Sequence, residues 1–253
     1  MEDAPDTDRT STATRILDTA QALVQRRGYN AVSYGDLAAE LDLTTAAIHY
    51  HFPSKADLGQ AVVARYRRAN AEERAAIRAR TDAVRERLTQ YVDLYAGVLK
   101  DGGLCLCGVL AADNATLPAE VRREVQGFFD DQTDWLTSIL AEGADVTARL
   151  EGCESPRQAA QLFLAAIEGA MLTHRTPRNQ LRTYRATLRG LIDTIAPSFF
   201  GTAARVAHPR VTPGTMSLLI SRIDGSVPSF SSCIVFSHTN PLLSHASAHR
   251  HPA

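Results

Sequence analysis

Residues 33–58, SYGDLAAELDLTTAAIHYHFPSKADL, restrict this chain more than any other stretch, because they set three helix starts within a few turns of one another. Ser33 followed by Asp36 is a shortened capping box, in which a hydroxyl and a carboxylate each satisfy a backbone amide at a helix start. Leu37, Ala38 and Leu41 then recur at helical spacing and form an inner face. Asp42-Leu43 reads as a tight turn, and Thr44 caps a very short helix through His51, with Ala47, Ile48 and Phe52 facing inward. Pro53 ends it, since proline cannot continue a helix interior. Ser54 with Asp57 caps the next helix, predicted from Lys55 to about Arg80. Upstream, Ile16, Leu17, Ala20, Leu23 and Val24 line one face of a helix over 10–27, which Gly28 stops.

Two short helices held at a fixed angle are a device for reading DNA, because one helix fits the major groove and the other sets its orientation. The alanines Ala38 and Ala39 allow close approach of the pair. The second helix exposes Thr44, Thr45 and Ala46 at its start, where hydroxyls and a methyl suit base edges. His49, Tyr50, His51 and Lys55 follow within two turns, each able to donate to a phosphate oxygen. The backbone amides at Ser33 and Ser54 add expected phosphate contacts. Leu37, Ile48 and Phe52 are expected in the core, and His51 is equally suited to packing. Residues 9–68 carry eight basic and five acidic side chains, a net +3 in a chain whose overall charge is −1. That sign suits a phosphate-facing segment.

The run LTTAAIHYHFPSKADL resembles the signature of the TetR family of bacterial repressors. The resemblance covers residues 10–68 and implies a homodimer whose two recognition helices meet a double-stranded, pseudo-palindromic operator, with a small-molecule effector bound in the body. Ala46 stands where the family usually has glycine and His49 where tyrosine is commonest, departures that bear on the operator sequence. The implied dimer interface draws on Leu162, Phe163, Ala166, Ile167, Gly169, Ala170, Leu188, Leu191, Ile192 and Ile195.

The rest of the chain to about residue 196 also reads as helical, so the fold expected is all-α. A three-helix DNA-binding domain over 10–55 is followed by a helical ligand-binding and dimerisation bundle over 56–197. Effector-lining candidates are Tyr91, Tyr95, Phe128, Trp135, Phe163 and His174, with Asp113 or Glu168 as a polar contact. Each of them alone suits core packing better, as aromatic residues at helical spacing usually do.

Residues 198–253 turn to Ser, Thr, Pro and His, a composition for which disorder is the default expectation. His245, His249 and His251 could hold a metal, but a flexible end is favoured, and neither metal nor cofactor is expected. Cys105, Cys107, Cys153 and Cys233 show no zinc-ligand spacing and no disulfide framework. A redox role for Cys105 and Cys107 is disfavoured, because residues two apart point away from each other and no cation nearby would lower a thiol pKa. The acidic, polar start is unlike a signal peptide, and no apolar run is long enough to span a membrane, so a cytoplasmic protein is expected. Neither His-Glu-x-x-His nor Gly-x-Ser-x-Gly occurs, so the chain is not expected to be an enzyme. A helical interaction module without specific DNA binding is the alternative.

Overall fold

The computed structural model describes residues 6–143, 149–150, 152–174 and 180–197. The described residues form helices and no strands. The expectations of a disordered tail over 198–253 and of a His245–His251 metal site lie outside them.

The amino-terminal helix α1 (Asp6–Arg27) begins four residues earlier than its apolar periodicity suggested, and Gly28 ends it with φ +87°. That left-handed conformation is one glycine adopts without a Cβ penalty. Helices α2 (Tyr34–Leu41) and α3 (Thr45–His51) follow as expected, separated by Asp42 at φ 54°. An αL residue at a helix end is the usual way to turn the chain sharply, and aspartate tolerates it better than most. Ile16, Ala20, Leu23 and Val24 of α1 join Leu37 of α2 and Ile48 of α3 in one buried cluster. Leu37 and Ile48 are completely enclosed. Burying each contributes roughly 2 kcal/mol, which fixes the angle between the two short helices.

Helix α4 (Lys55–Arg80) is 26 residues long, so at 1.5 Å per residue it runs about 39 Å from the headpiece into the body. The body adds α5 (Val84–Lys100), α6 (Leu106–Ala112), α7 (Ala119–Ala141), α8 (Pro156–Thr173) and α9 (Gln180–Ile195). Helix α7 packs on α4 and α8, and α5 packs on α9. Arg67 of α4 ties α7 through Glu124 at 2.8 Å and Asp131 at 2.9 Å.

Burial revises the expected dimer residues. Phe163, Ile167, Ala170, Leu188, Ile192 and Ile195 are core side chains of the protomer, because α8 and α9 turn these faces toward the body. Apolar periodicity marks a buried face without saying which neighbour buries it.

Candidate functional site

Every predicted contact residue on α3 sits on a rigid floor. Ile48 is buried beneath the helix, and the hydroxyl of Tyr34 donates to the Phe52 carbonyl at 2.8 Å, tying the end of α3 to the start of α2. The Tyr34 ring also lies against His49, centroids 4.5 Å apart. His49 Nδ1 is 3.1 Å from the Pro53 carbonyl, which fixes the imidazole while the residue stays exposed. Tyr34 is the positioning residue that pattern reading missed. Only its place at the first position of α2 hinted at it.

Thr45, Ala46, His49 and Tyr50 form the exposed face, with Tyr50 64 % accessible. An exposed tyrosine of that size on a helix otherwise locked to its core is a strong candidate contact. Thr44 is exposed too, but its Oγ1 accepts the Ala47 amide at 3.1 Å, so the cap occupies one acceptor position and leaves its hydroxyl proton free to donate. His51 is half-buried, edge-on to Tyr50 at 5.3 Å. Lys55 is half-buried with Nζ 4.4 Å above the Tyr29 ring, and burial pulls its pKa below the ordinary lysine value.

The Ser33 and Ser54 amides, expected to meet phosphate, each have an acceptor within the protomer. Ser33 N–H donates to Asp36 Oδ2 at 2.7 Å, and Ser54 N–H donates to Asp57 Oδ2 at 3.0 Å. Both serines complete full capping boxes, so these amides already hold a carboxylate where a phosphate was expected.

In the body, three of the effector candidates belong to one aromatic cluster. Tyr91 stacks on Trp135 at 5.1 Å and meets Tyr95 edge-on at 5.3 Å, while Phe128 packs on Tyr66 at 5.4 Å. Tyr66 and Tyr95 line a groove of ≈ 460 Å³ with Asp18, Gln21, Asn70 and Glu73, between α1, α4 and α5. Phe128 and Phe163 are fully buried core residues. His174 lies apart from the aromatic cluster at the end of α8, with Nε2 3.3 Å from Thr187 Oγ1.

Asp113 faces the headpiece instead of a pocket: its carboxylate accepts the Tyr29 amide. Glu168 is half-buried against Cys105, whose thiol donates to it, and burial raises both pKa values. A thiol held protonated in this way is a poor nucleophile, which agrees with the case against a redox pair.

An all-helical body carried on a capped, core-locked helix-turn-helix defines a DNA-binding transcription regulator. The family model for bacterial regulatory proteins of the tetR family matches residues 16–62. A TetR-family transcriptional regulator from Agrobacterium tumefaciens is 33 % identical, with a TM-score of 0.68 over 74 % of this chain and 98 % of that one. A TetR regulator from Legionella pneumophila is 29 % identical, TM-score 0.63, over 76 % of this chain and 98 % of its own. A transcriptional regulator from Saccharomonospora viridis, solved in complex with choline, is 26 % identical, TM-score 0.61, over 73 % and 96 %. No curated protein matches the sequence. The chain belongs to the TetR family of transcriptional regulators. Among the described residues no helix is long and apolar enough to cross a membrane.

Proposed function

We propose that this chain is a ligand-responsive repressor that binds a pseudo-palindromic operator as a homodimer in the cytoplasm, reading DNA with residues 10–55 and binding effector and partner with residues 56–197. The observation that carries the reading is the exposed Thr45, Ala46, His49 and Tyr50 face on a helix whose other side is locked by Ile48, Leu37 and the Tyr34–Phe52 bond. Thr45 and Ala46 meet base edges, Thr44 reaches them through its free hydroxyl proton, and His49, Tyr50, His51 and Lys55 engage phosphates.

Dimerisation is supported by the outward faces of α8 and α9. Leu162 and Leu172 are large exposed apolar residues on α8. Thr183, Ala186, Thr187, Gly190 and Thr194 keep the outer side of α9 small and accessible. Two such faces would make a four-helix interface, with the recognition helices about 34 Å apart to meet successive major grooves.

Effector control is supported by the direct wiring of headpiece to body. Gln25 Nε2 donates to the Leu104 carbonyl at 2.9 Å, and the Asp113–Tyr29 bond closes the other end of α6. A ligand that moves α6 or α4 moves the recognition helix with it, and derepression follows when the two helices no longer match the groove spacing. The choline-bound regulator of 26 % identity shows a small molecule held by a related fold.

Gel shift of the full chain with DNA upstream of its own gene, across a salt titration, tests the reading. A sequence-specific shift that weakens steeply with salt is expected. The same weak binding to any duplex would sink it.

A further inference from the structure

Among the described residues, the interior of the body contains two buried guanidinium groups in opposite circumstances. Arg87 is 3 % exposed and satisfied throughout, with Nε on the Thr81 carbonyl at 2.6 Å, Nη2 on Asp82 at 2.9 Å and Nη1 on Glu142. Arg74 is 7 % exposed, and its Nη1 has no hydrogen-bond partner among the described residues. No carboxylate of the described residues pairs with it. A buried cation cannot shed its charge in arginine, so an uncompensated guanidinium is costly unless something else supplies the anion.

Two further orphan donors share this neighbourhood. Gln132 is fully buried, and its Nε2 is unpartnered while its Oε1 accepts from the Tyr91 hydroxyl at 2.9 Å. The Trp135 indole Nε1 is buried and unpartnered as well, on a ring stacked against Tyr91. Arg74 is close enough for its charge to act on the same Tyr91 phenol. Gln132 and Trp135 of α7 thus contact one tyrosine of α5, Arg74 of α4 acts on it through its charge, and each carries a buried donor without an acceptor. Glu168 shares this neighbourhood, since its charge also acts on Tyr91, but its Oε1 is buried without a hydrogen-bond partner, so it reaches none of the three donors while the Cys105 thiol bonds its side chain. Tyr95 links the cluster to space: it lines the ≈ 460 Å³ groove, and its hydroxyl is 3.2 Å from that of Tyr91.

We infer that Arg74, Gln132 and Trp135 form the recognition site for a small organic carboxylate, whose two oxygens take the three orphan donors. The inference rests on the reading of the body as an effector-binding unit and gives that effector its chemistry. Arginine suits a carboxylate because its planar donors match the two oxygens, and the flanking aromatic faces suit a short apolar remainder. Entry from the groove requires Tyr95 to turn. The groove is walled by Asp18 and Gln21 of α1, so an occupant there separates α1 from α4.

Trp135 is the only tryptophan of the chain, so its emission reports the site directly. The full chain is titrated with sodium formate, acetate, propionate, butyrate and benzoate at constant ionic strength, each beside its primary amide. A saturable change with at least one carboxylate is expected, with the matching amide at least ten-fold weaker. Arg74→Met is expected to lose at least ten-fold in carboxylate affinity, and Gln132→Glu, which keeps the acceptor for Tyr91, to lose at least as much. Arg74→Met is also expected to unfold at a higher temperature than the parent in ligand-free buffer, because an unpaired buried charge is gone. A structural arginine would give the opposite shift.

No saturable response across the series, equal response to the amides, or a lower unfolding temperature for Arg74→Met overturns the inference. So does a structure of carboxylate-saturated protein showing only ordered water on the three donors. Carboxylate binding without an operator shift would leave this site standing and remove the repressor reading. An operator shift without a carboxylate response would do the reverse.

Discussion

The Asp113 carboxylate accepts the backbone amide of Tyr29 at 3.1 Å, and this one bond joins the end of α6 to the loop that follows α1. Asn30 reinforces it by donating to Thr116 Oγ1 at 2.8 Å. At the other end of α6, the Leu104 amide donates to the Gln25 carbonyl while the Gln25 side chain returns to the Leu104 carbonyl. The Tyr29 hydroxyl in turn donates to the Lys55 carbonyl at 3.0 Å, at the first residue of α4. Body and headpiece thus meet through a short chain of hydrogen bonds that a few residues control.

Replacing Asp113 with alanine leaves the Tyr29 amide without its acceptor in a partly buried position. A loss of about 1–2 kcal/mol of stability is expected from urea unfolding. Effector-driven release from DNA should weaken more than operator affinity itself, because the bond transmits motion and touches no DNA. Equal losses in gel shifts with and without effector would show that Asp113 only stabilises the headpiece.

Thr44 and Thr45 are adjacent and exposed but have different duties. Thr44→Ala removes the cap bond to Ala47 and is expected to cost about 1 kcal/mol of stability along with operator affinity. Thr45→Ala should leave the unfolding temperature nearly unchanged and still weaken specific DNA binding by about 1–3 kcal/mol if its hydroxyl reads a base edge. Thermal unfolding beside gel shift separates the two. An unaffected shift for Thr45→Ala would remove it from the interface.

These contrasts show what pattern reading could and could not reach. The caps at Ser33, Thr44 and Ser54, the stop at Pro53 and the burial of Leu37 and Ile48 were legible, because each depends on residues within one or two turns. The same Asp36 and Asp57 that announced the helices also occupy the serine amides, which pattern reading had left open for phosphate. Arg74, Gln132 and Asp113 were illegible as a set, since their meaning depends on partners or missing partners on other helices. Phe163 and Ile167 were read as interface for a related reason: a buried stripe looks the same whether the protomer or a second copy covers it.

Glu168 makes stability depend on pH. Burial raises its pKa above the ordinary 4.5, so the folded protein holds this proton more tightly than the unfolded chain does. Its contribution is complete below 4.5 and is lost as pH rises through the raised value. Glu168→Gln keeps an acceptor for the Cys105 thiol without a charge to bury. It is expected to flatten that decline in unfolding temperature on the alkaline side, and an unchanged pH profile would show that another group governs it.

Arg87 gives the counterpart to Arg74. Its guanidinium anchors α5 to the Thr81 and Arg78 carbonyls and to two carboxylates. Arg87→Ala removes one of the two arginine partners of the exposed Glu142, which keeps Arg78, and opens space at the join of α4 and α5. A loss of about 1–2 kcal/mol is expected from denaturant unfolding, from lost packing and hydrogen bonds, the reverse of the gain expected for Arg74→Met. Similar effects from both substitutions would erase the distinction between a satisfied and an unsatisfied buried arginine.

The outward face of α8 and α9 supplies the last expectation. Leu172 is 64 % exposed in the protomer and Leu162 also lies open, while Ala186 and Gly190 on α9 leave room for a neighbour's side chains. Burying two leucines per protomer at a two-fold interface contributes several kcal/mol, at roughly 1.5–3 kcal/mol for each fully covered side chain. Leu172→Arg is therefore expected to shift the chain from dimer to monomer in sedimentation equilibrium with little change in helix content. Specific operator binding should fall more than ten-fold with it, since each protomer then reads only one half-site. A Leu172→Arg protein that stays dimeric and keeps full operator affinity would place the interface elsewhere on the body.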